Sequence, residues 1–320
     1  MKGKLTQNGQ NPALARRRRF QAIAALGCIF ALSFMGRSAF SAPYESARPE
    51  TAGAKDPVTA ARAGRAYVGN PSSIAVLGHS GATGESSDPR QPGVEVRANS
   101  WATGTNPAVN SVYSRILARN PEIKGHNYNL AHASANVRDL VRQADRAVSL
   151  TPKPELILIQ IMDADIVCPA SSRDYSAFRS TFVSALKTLA QGAPESSLFV
   201  VSQFGSPGTS AKALTPAQRR RFGGTGPCDF LDPTGRLVPR KLARLDRIIH
   251  AYEAQLAAGC KRVAQCRYDG GAFGRVIDKR EYFASDYHFS VKGHAKAAAV
   301  AWSAMKRAGL VPRTRSAFSA

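Results

Sequence analysis

The first chemical signal is a serine and a histidine that stand far apart in the chain. Residues 74 to 85 read IAVLGHSGATGE, where an apolar run, Ile74 to Leu77, delivers Ser80 into a glycine-rich turn. A serine lifted onto a turn after a buried strand has an exposed hydroxyl, with backbone N–H groups beside it free to hold an oxyanion. His288 lies in ASDYHFSVKGHAKAAAVAW, just ahead of an Ala-rich helical stretch. Imidazole is the side chain suited to take a serine proton near neutral pH. The pair points to nucleophilic acyl transfer, whereas the serine taken alone reads equally as an ordinary turn residue.

Short apolar runs alternate with helical periodicities and supply the elements that would position these groups. Strands are expected at Ser73 to Leu77, His126 to Ala131, Glu155 to Met162, Ser197 to Gln203 and Arg267 to Asp269. Helices are expected at Pro107 to Arg119, Val137 to Ser149, Tyr175 to Gln191, Lys241 to Ala258 and Gly293 to Ala308. In the second of these, Val137, Leu140, Val141, Ala144 and Val148 recur at helical spacing while Arg138, Arg142, Asp145 and Arg146 face outward. Strands separated by amphipathic helices imply a mainly parallel sheet covered on both faces, a single three-layer α/β/α domain spanning residues 71 to 310. Residues 204 to 240, rich in Gly, Pro, Ser and Arg, form a long excursion that reads as an active-site lid or a disulfide-tied loop. Residues 311 to 320 read as a flexible tail. Ligands of open α/β sheets sit at the carboxyl ends of strands, where Ser80, Ser134 and Asp163 to Asp165 all fall.

At these residues the chain resembles the SGNH, or GDSL-type, hydrolases, from about Ile74 to Trp302. Gly78-His79-Ser80 stands at the family's Gly-Asp-Ser, and NLAHASANVRDL (Asn129 to Leu140) at its Asn-Leu-Ala-x-x-Gly-Ala-x-x-x-Asp-Leu block. Met162-Asp163-Ala164-Asp165 stands at Gly-x-Asn-Asp, and His288-Phe289-Ser290-Val291-Lys292-Gly293 at the last block, Asp-x-x-His-x-Ser-x-x-Gly. The resemblance implies a three-layer fold and a serine esterase in which Ser80 is the nucleophile and His288 its general base. It also implies an oxyanion hole from the backbone N–H groups of Ser80 and Ser134. Three departures stand out. Ser134 replaces a glycine, and Ala164 replaces the asparagine whose amide is the third oxyanion donor. The orienting acid is due three residues before the histidine, where the chain has Ser285, while Asp286 lies two before. Asp286 reaches His288 only if the loop tightens; otherwise a backbone carbonyl orients the ring in a Ser-His dyad.

Other residues carry two readings. His79, Asp163, Asp165 and Trp101 are candidates to line the site. Equally, His79 can pack under its turn and Trp101 can anchor its loop from within the core. His126 and His132 read as strand-end residues and His294 as a packing residue of the last helix, so no metal site is expected. Asn106 and Asn110 read as openers of the first helix, at least one of them a cap. Neither metal nor organic cofactor is required by the expected chemistry.

The chain's start reads as an address. Lys2, Lys4 and Arg16 to Arg19 make a positive region, Ala22 to Gly36 an apolar stretch closed by Arg37, and Ala39-Phe40-Ser41 a peptidase-type site. Residues 1 to 41 are therefore expected to be a signal peptide cleaved near Ala42, with residues 42 to 70 an extended approach. Arg17-Arg18-Arg19-Phe20 fits both twin-arginine and Sec export, and Leu26-Gly27-Cys28 only faintly resembles a lipobox. The apolar stretch is short for a stable membrane span. The protein is thus expected to be secreted or periplasmic. The remaining cysteines, Cys168, Cys228, Cys260 and Cys266, then read as two disulfides. Three connectivities can be drawn; the proximity of Cys260 and Cys266 favours that pair, with Cys168 bonded to Cys228.

The formal charge of +22 falls to +15 once the leader's seven Lys and Arg are removed. Such a surface attracts anionic polymer, envelope polysaccharide or lipid headgroups, or is simply a solvated cationic surface. No nucleic-acid-binding motif is present, and nucleic acid is not an expected partner. The expected activity is hydrolysis of acetyl or short acyl esters on envelope polysaccharide or lipid. A degenerate module that binds glycan or acyl groups without turnover, and an acyltransferase using the same acyl-enzyme, are the alternatives.

Overall fold

The computed structural model describes residues 69–224 and 226–311. The expected signal peptide, all but the last two residues of the approach segment, and the tail after Val311 lie outside the described residues. Five strands, β1 (Ile74–Gly78), β2 (Asn127–Asn129), β3 (Leu156–Gln160), β4 (Ser197–Val200) and β5 (Cys266–Tyr268), form one sheet in the order β2-β1-β3-β4-β5. All four pairings are parallel, with Ile74 opposite both Asn127 and Leu156 and Gly78 opposite Gln160. The helices are α1 (Val112–Leu117), α2 (Val137–Val148), α3 (Ser172–Gly192), α4 (Pro207–Ala213), α5 (Pro216–Phe222), α6 (Pro239–Cys260) and α7 (Val291–Arg307).

β1, β3 and β4 are buried along their whole length, as continuous apolar runs in a doubly covered parallel sheet must be. Their alternate side chains divide between two cores. Ala75, Leu77, Ile157, Ile159, Leu198 and Val200 pack with α2, α3 and α6, whereas Ile74, Val76, Leu156, Leu158 and Phe199 pack with α1 and α7. Three layers result, as the sequence periodicities require. α2 and α3 each begin with a capping box, Asn136 with Asp139 and Ser171 with Asp174.

The expected first and last strands match β1 and β5 in length but are displaced by one residue, whereas the middle three run three residues longer than β2, β3 and β4, because apolar chain continues past the last ladder bond into loops that are themselves buried. The first helix starts at Val112 with Ser111 as its cap, not at Pro107; Asn106 instead accepts from Ala108 N–H in a turn, and Asn110 takes φ +48°. The excursion after β4 holds α4 and α5, which apolar periodicity does not announce. Each is opened by a hydroxyl cap, Ser206 or Thr215, followed by proline.

Both disulfides join the favoured partners, Cys168 to Cys228 and Cys260 to Cys266. The first ties the excursion to the segment that leaves β3. Among the described residues no helix is long and apolar enough to cross a membrane.

Candidate active site

The strand order reverses between β1 and β3, which makes their carboxyl ends the switch point where doubly wound sheets hold ligands. Gly78 sits there at φ +138°, and a Cβ on it would lie 1.8 Å from the carbonyl oxygen of Gln160. Only glycine lets the two strands close so tightly before the chain turns. The side-chain amide of Gln143 on α2 holds the same residue, accepting from Gly78 N–H at 2.6 Å and donating to its carbonyl at 3.0 Å. Ser80 then opens a 3-10 turn, Ser80–Ala82. Its N–H, first in the turn, has no partner within it, and its hydroxyl hydrogen-bonds to none of the described residues while lining the cavity beyond.

His79 occupies the family's aspartate position and does what a cap acceptor does: its Nδ1 accepts from Gly81 N–H at 3.0 Å. Nδ1 must therefore be unprotonated. Burial lowers the pKa of His79 against the opposing pull of Asp163, which favours that neutral form. Its Nε2 faces the Asp163 carboxylate at 3.5 Å.

His288 lines the same cavity as Ser80. Tyr287 adopts φ +74°, and Ala284 N–H bonds back to the His288 carbonyl at 2.8 Å, so the chain from 284 to 288 doubles back tightly. That turn brings the Asp286 carboxylate within 3.2 Å of His288 Nδ1 despite its one-residue displacement. The contact is a close charge pair rather than an aligned hydrogen bond, since Nδ1 has no partner of good geometry. The carboxylate is shared with the Ser86 hydroxyl and the His288 N–H. Burial would raise the pKa of Asp286, but the interactions with His288 and Ser86 outweigh it and hold the group at about 2. For His288 burial is likewise the largest influence and pulls downward, yet Asp286, Glu85 and Asp163 together leave the imidazole above its ordinary value.

The cavity measures about 210 Å³. Its polar end is formed by His79, Ser80, Ser134, Asp163 and His288, and its apolar wall by Ile166, Phe204, Phe230, Leu245, Ile249 and Phe289. Cys228 is part of that wall, so the excursion is a disulfide-tied loop that borders the cavity. No lysine or arginine lines it among the described residues. Ser134 keeps a left-handed backbone, φ +58°, at the family's glycine position, and Met162 has φ +150° at another. Both positions adopt a backbone that glycine favours without being glycine.

Two candidate lining residues stand elsewhere. Trp101 is fully buried, donating from Nε1 to Gln160 Oε1 at 2.7 Å and packing edge-on against Phe273; the core reading applies, because an indole can satisfy its single donor inside. Asp165 accepts from the Val137 N–H at the start of α2, where burial pushes its carboxyl up to about 7. Ala164 lines the cavity but brings no donor side chain. His126 and His132 flank β2. His294 is buried on α7, accepts from Trp101 N–H at 3.3 Å, and is driven by burial down to about 3. Among the described residues no group of three or more His, Cys, Asp and Glu side chains is arranged to hold a metal ion. Glu85, which no local motif singles out, sits beside His288, with its Oε2 3.6 Å from Nε2.

No family model and no curated protein matches the chain. Among solved structures it is similar to TesA, at 12% identity and TM-score 0.45 over 73% of this chain and 98% of that one. An extracellular lipase from Streptomyces rimosus is similar at 14% identity and TM-score 0.44, over 72% and 99%. An acetyl-xylooligosaccharide esterase from Geobacillus is similar at 17% identity and TM-score 0.43, over 76% and 96%. The fold that the SGNH resemblance implies, a single three-layer α/β/α domain on a parallel sheet, is the fold this chain adopts.

Proposed function

We propose that the protein is an exported serine hydrolase of carboxylic esters. The observation that carries the reading is a hydroxyl without a hydrogen-bond partner among the described residues, Ser80, at the switch point of the sheet, sharing one cavity with an imidazole whose far nitrogen is backed by a carboxylate. In this mechanism the Ser80 Oγ attacks the ester carbonyl carbon while His288 Nε2 takes its proton. Asp286 compensates the imidazolium charge, and the proton passes to the departing alcohol. Water then attacks the acyl-enzyme by the same route, releasing the acid and restoring Ser80. Backbone N–H groups of Ser80 and Ser134 serve the oxyanion. With alanine at 164 a third donor is missing, at a cost of roughly 3 kcal/mol, or about a hundred- to a thousandfold in rate.

The cavity argues for the acyl side of the substrate. Its apolar wall and the absence of lysine and arginine among its described lining residues suit a short apolar acyl chain on a lipid-like or polysaccharide alcohol. The leader and the two disulfides support an oxidising, extracytoplasmic location. The test is hydrolysis of p-nitrophenyl butyrate by the mature protein. Ser80→Ala is expected to lower kcat/KM at least about a thousandfold; unchanged turnover in that variant would place the chemistry elsewhere.

One observation favours a second reading, a pocket that binds acyl or glycan groups without turnover: His288 Nε2 faces Glu85 at 3.6 Å and makes no hydrogen bond to Ser80. Saturable binding of a non-hydrolysable butyryl ether, with no ester turnover at any pH, would support it. Transfer to an acceptor alcohol in place of water would use the same acyl-enzyme.

A further inference from the structure

Glu85 has no place in the mechanism above, yet it is set against the atom on which that mechanism turns. Its Oε2 lies 3.6 Å from His288 Nε2, while Asp286 lies 3.2 Å from Nδ1 on the other side. The imidazole is thus held edge to edge between two carboxylates. Both side chains are largely sealed, Glu85 13% and His288 11% exposed. Glu85 Oε2 accepts no hydrogen bond from any other described group, so no other described contact accounts for where it points. The segment that carries it is fixed: Glu85 bridges to Glu95 across an antiparallel pair, and neighbouring Ser86 bonds to Asp286.

We propose that Glu85 is a positioning residue for His288: its carboxylate docks the Nε2–H of the imidazolium, and Nε2 becomes available to Ser80 only when that proton leaves. The proposal rests on the Ser80–His288 reading for its catalytic consequence, but the clamp itself concerns His288 alone.

The neighbourhood fixes the sign. On its own loop His288 meets Asp286, and from the turn after β1 it meets Glu85, with Glu95 behind and Arg97 bonded to Glu95 at 3.0 Å. From the β3 exit comes Asp163, which is paired with His79, and from α7 comes His294. Both of these histidines are lowered by burial and stay uncharged near neutrality. The nearest formal charges are therefore carboxylates, and they favour the imidazolium over the neutral ring. The folded His288 pKa lies above its unfolded value. Stability from this clamp is accordingly complete below the unfolded pKa and lost as pH rises through the folded one, while the base needed by Ser80 appears over that same rise. Burial also raises the carboxyl of Glu85, opposed by His288, so the clamp loosens again in acid.

The test compares the mature protein with Glu85→Gln, following the His288 ring proton by NMR through a pH titration and kcat/KM on p-nitrophenyl butyrate over the same range. The midpoint of His288 is expected to fall by roughly one unit in the variant. The acid limb of kcat/KM should move down with it, so activity one unit below the wild-type midpoint rises several-fold while the alkaline plateau is retained. A second reading needs no variant: in wild type the Glu85 carboxyl carbon should show a step at the His288 midpoint. An unmoved midpoint, or a Glu85 carboxyl blind to His288, overturns the proposal. A shifted midpoint without esterase activity in either protein supports the clamp and sinks the hydrolase reading, so the two failures are told apart.

Discussion

At position 164 the chain has a methyl group where the resemblance calls for an amide. Ala164 lies in the 3-10 turn Asp163–Asp165 and lines the cavity beside Ser80. An asparagine there would supply a neutral donor, whereas the adjoining Asp163 is a carboxylate that would repel developing negative charge. Ala164→Asn is therefore expected to raise kcat about ten- to a hundredfold with little change in KM, since the added contact belongs to the transition state. Steady-state kinetics on p-nitrophenyl butyrate read the split; a fall in KM alone would mean that the amide meets the ground state. Ser80, Ser134 and His288 were legible because each follows a strand or precedes a helix with its own pattern. Asp286 was legible as a residue but not as a contact, because its reach depends on the left-handed Tyr287, which no side-chain preference announces. Glu85 was illegible: only the folded loop sets it against His288.

Among the elements, the excursion between β4 and α6 supplies part of the cavity's apolar wall, and the Cys168–Cys228 bond fastens it to the exit of β3. Replacing both cysteines by serine removes a crosslink worth typically 2–4 kcal/mol. A lower Tm by calorimetry is expected. KM for butyryl esters should rise more than KM for acetyl esters, since Phe230 and its neighbours lose their fixed position. Equal effects on both substrates would mean that the loop does not form the wall. α4 and α5 escaped a reading by periodicity because each is a single short helix, packed by few apolar residues and specified by its hydroxyl cap and proline. The sheet was legible because β1, β3 and β4 are uninterrupted apolar runs, and α2 because its buried residues repeat at helical spacing. Where strands stop was not, since their apolar runs continue into buried loops. In α7, a Cβ on Gly293 would stand 2.1 Å from the Tyr282 carbonyl oxygen, so the helix that follows His288 is seated by a glycine.

Over the whole molecule, charge and cavity have opposite characters. The full chain carries 44 Lys and Arg against 22 Asp and Glu, yet the cavity has carboxylates and neither lysine nor arginine among its described lining residues. On the proposed reading, the basic exterior would attract an anionic polymer while the pocket takes an uncharged acyl group. Adsorption to a polyanionic matrix should weaken steeply between low and about 0.5 M salt, as screening shortens the Debye length. Turnover of a small neutral ester should change less than about twofold over that range. Turnover that falls in parallel with adsorption would place the basic surface inside the catalytic step.

Whether Ser80 is an activated nucleophile is read directly by a fluorophosphonate. Mature protein is treated with the probe, digested, and mapped by mass spectrometry. One phosphonylated residue is expected, Ser80, with labelling abolished in Ser80→Ala and slowed at least about a hundredfold in His288→Gln. A wild-type protein that stays unlabelled through its alkaline plateau, or an adduct on another serine, would contradict an activated Ser80.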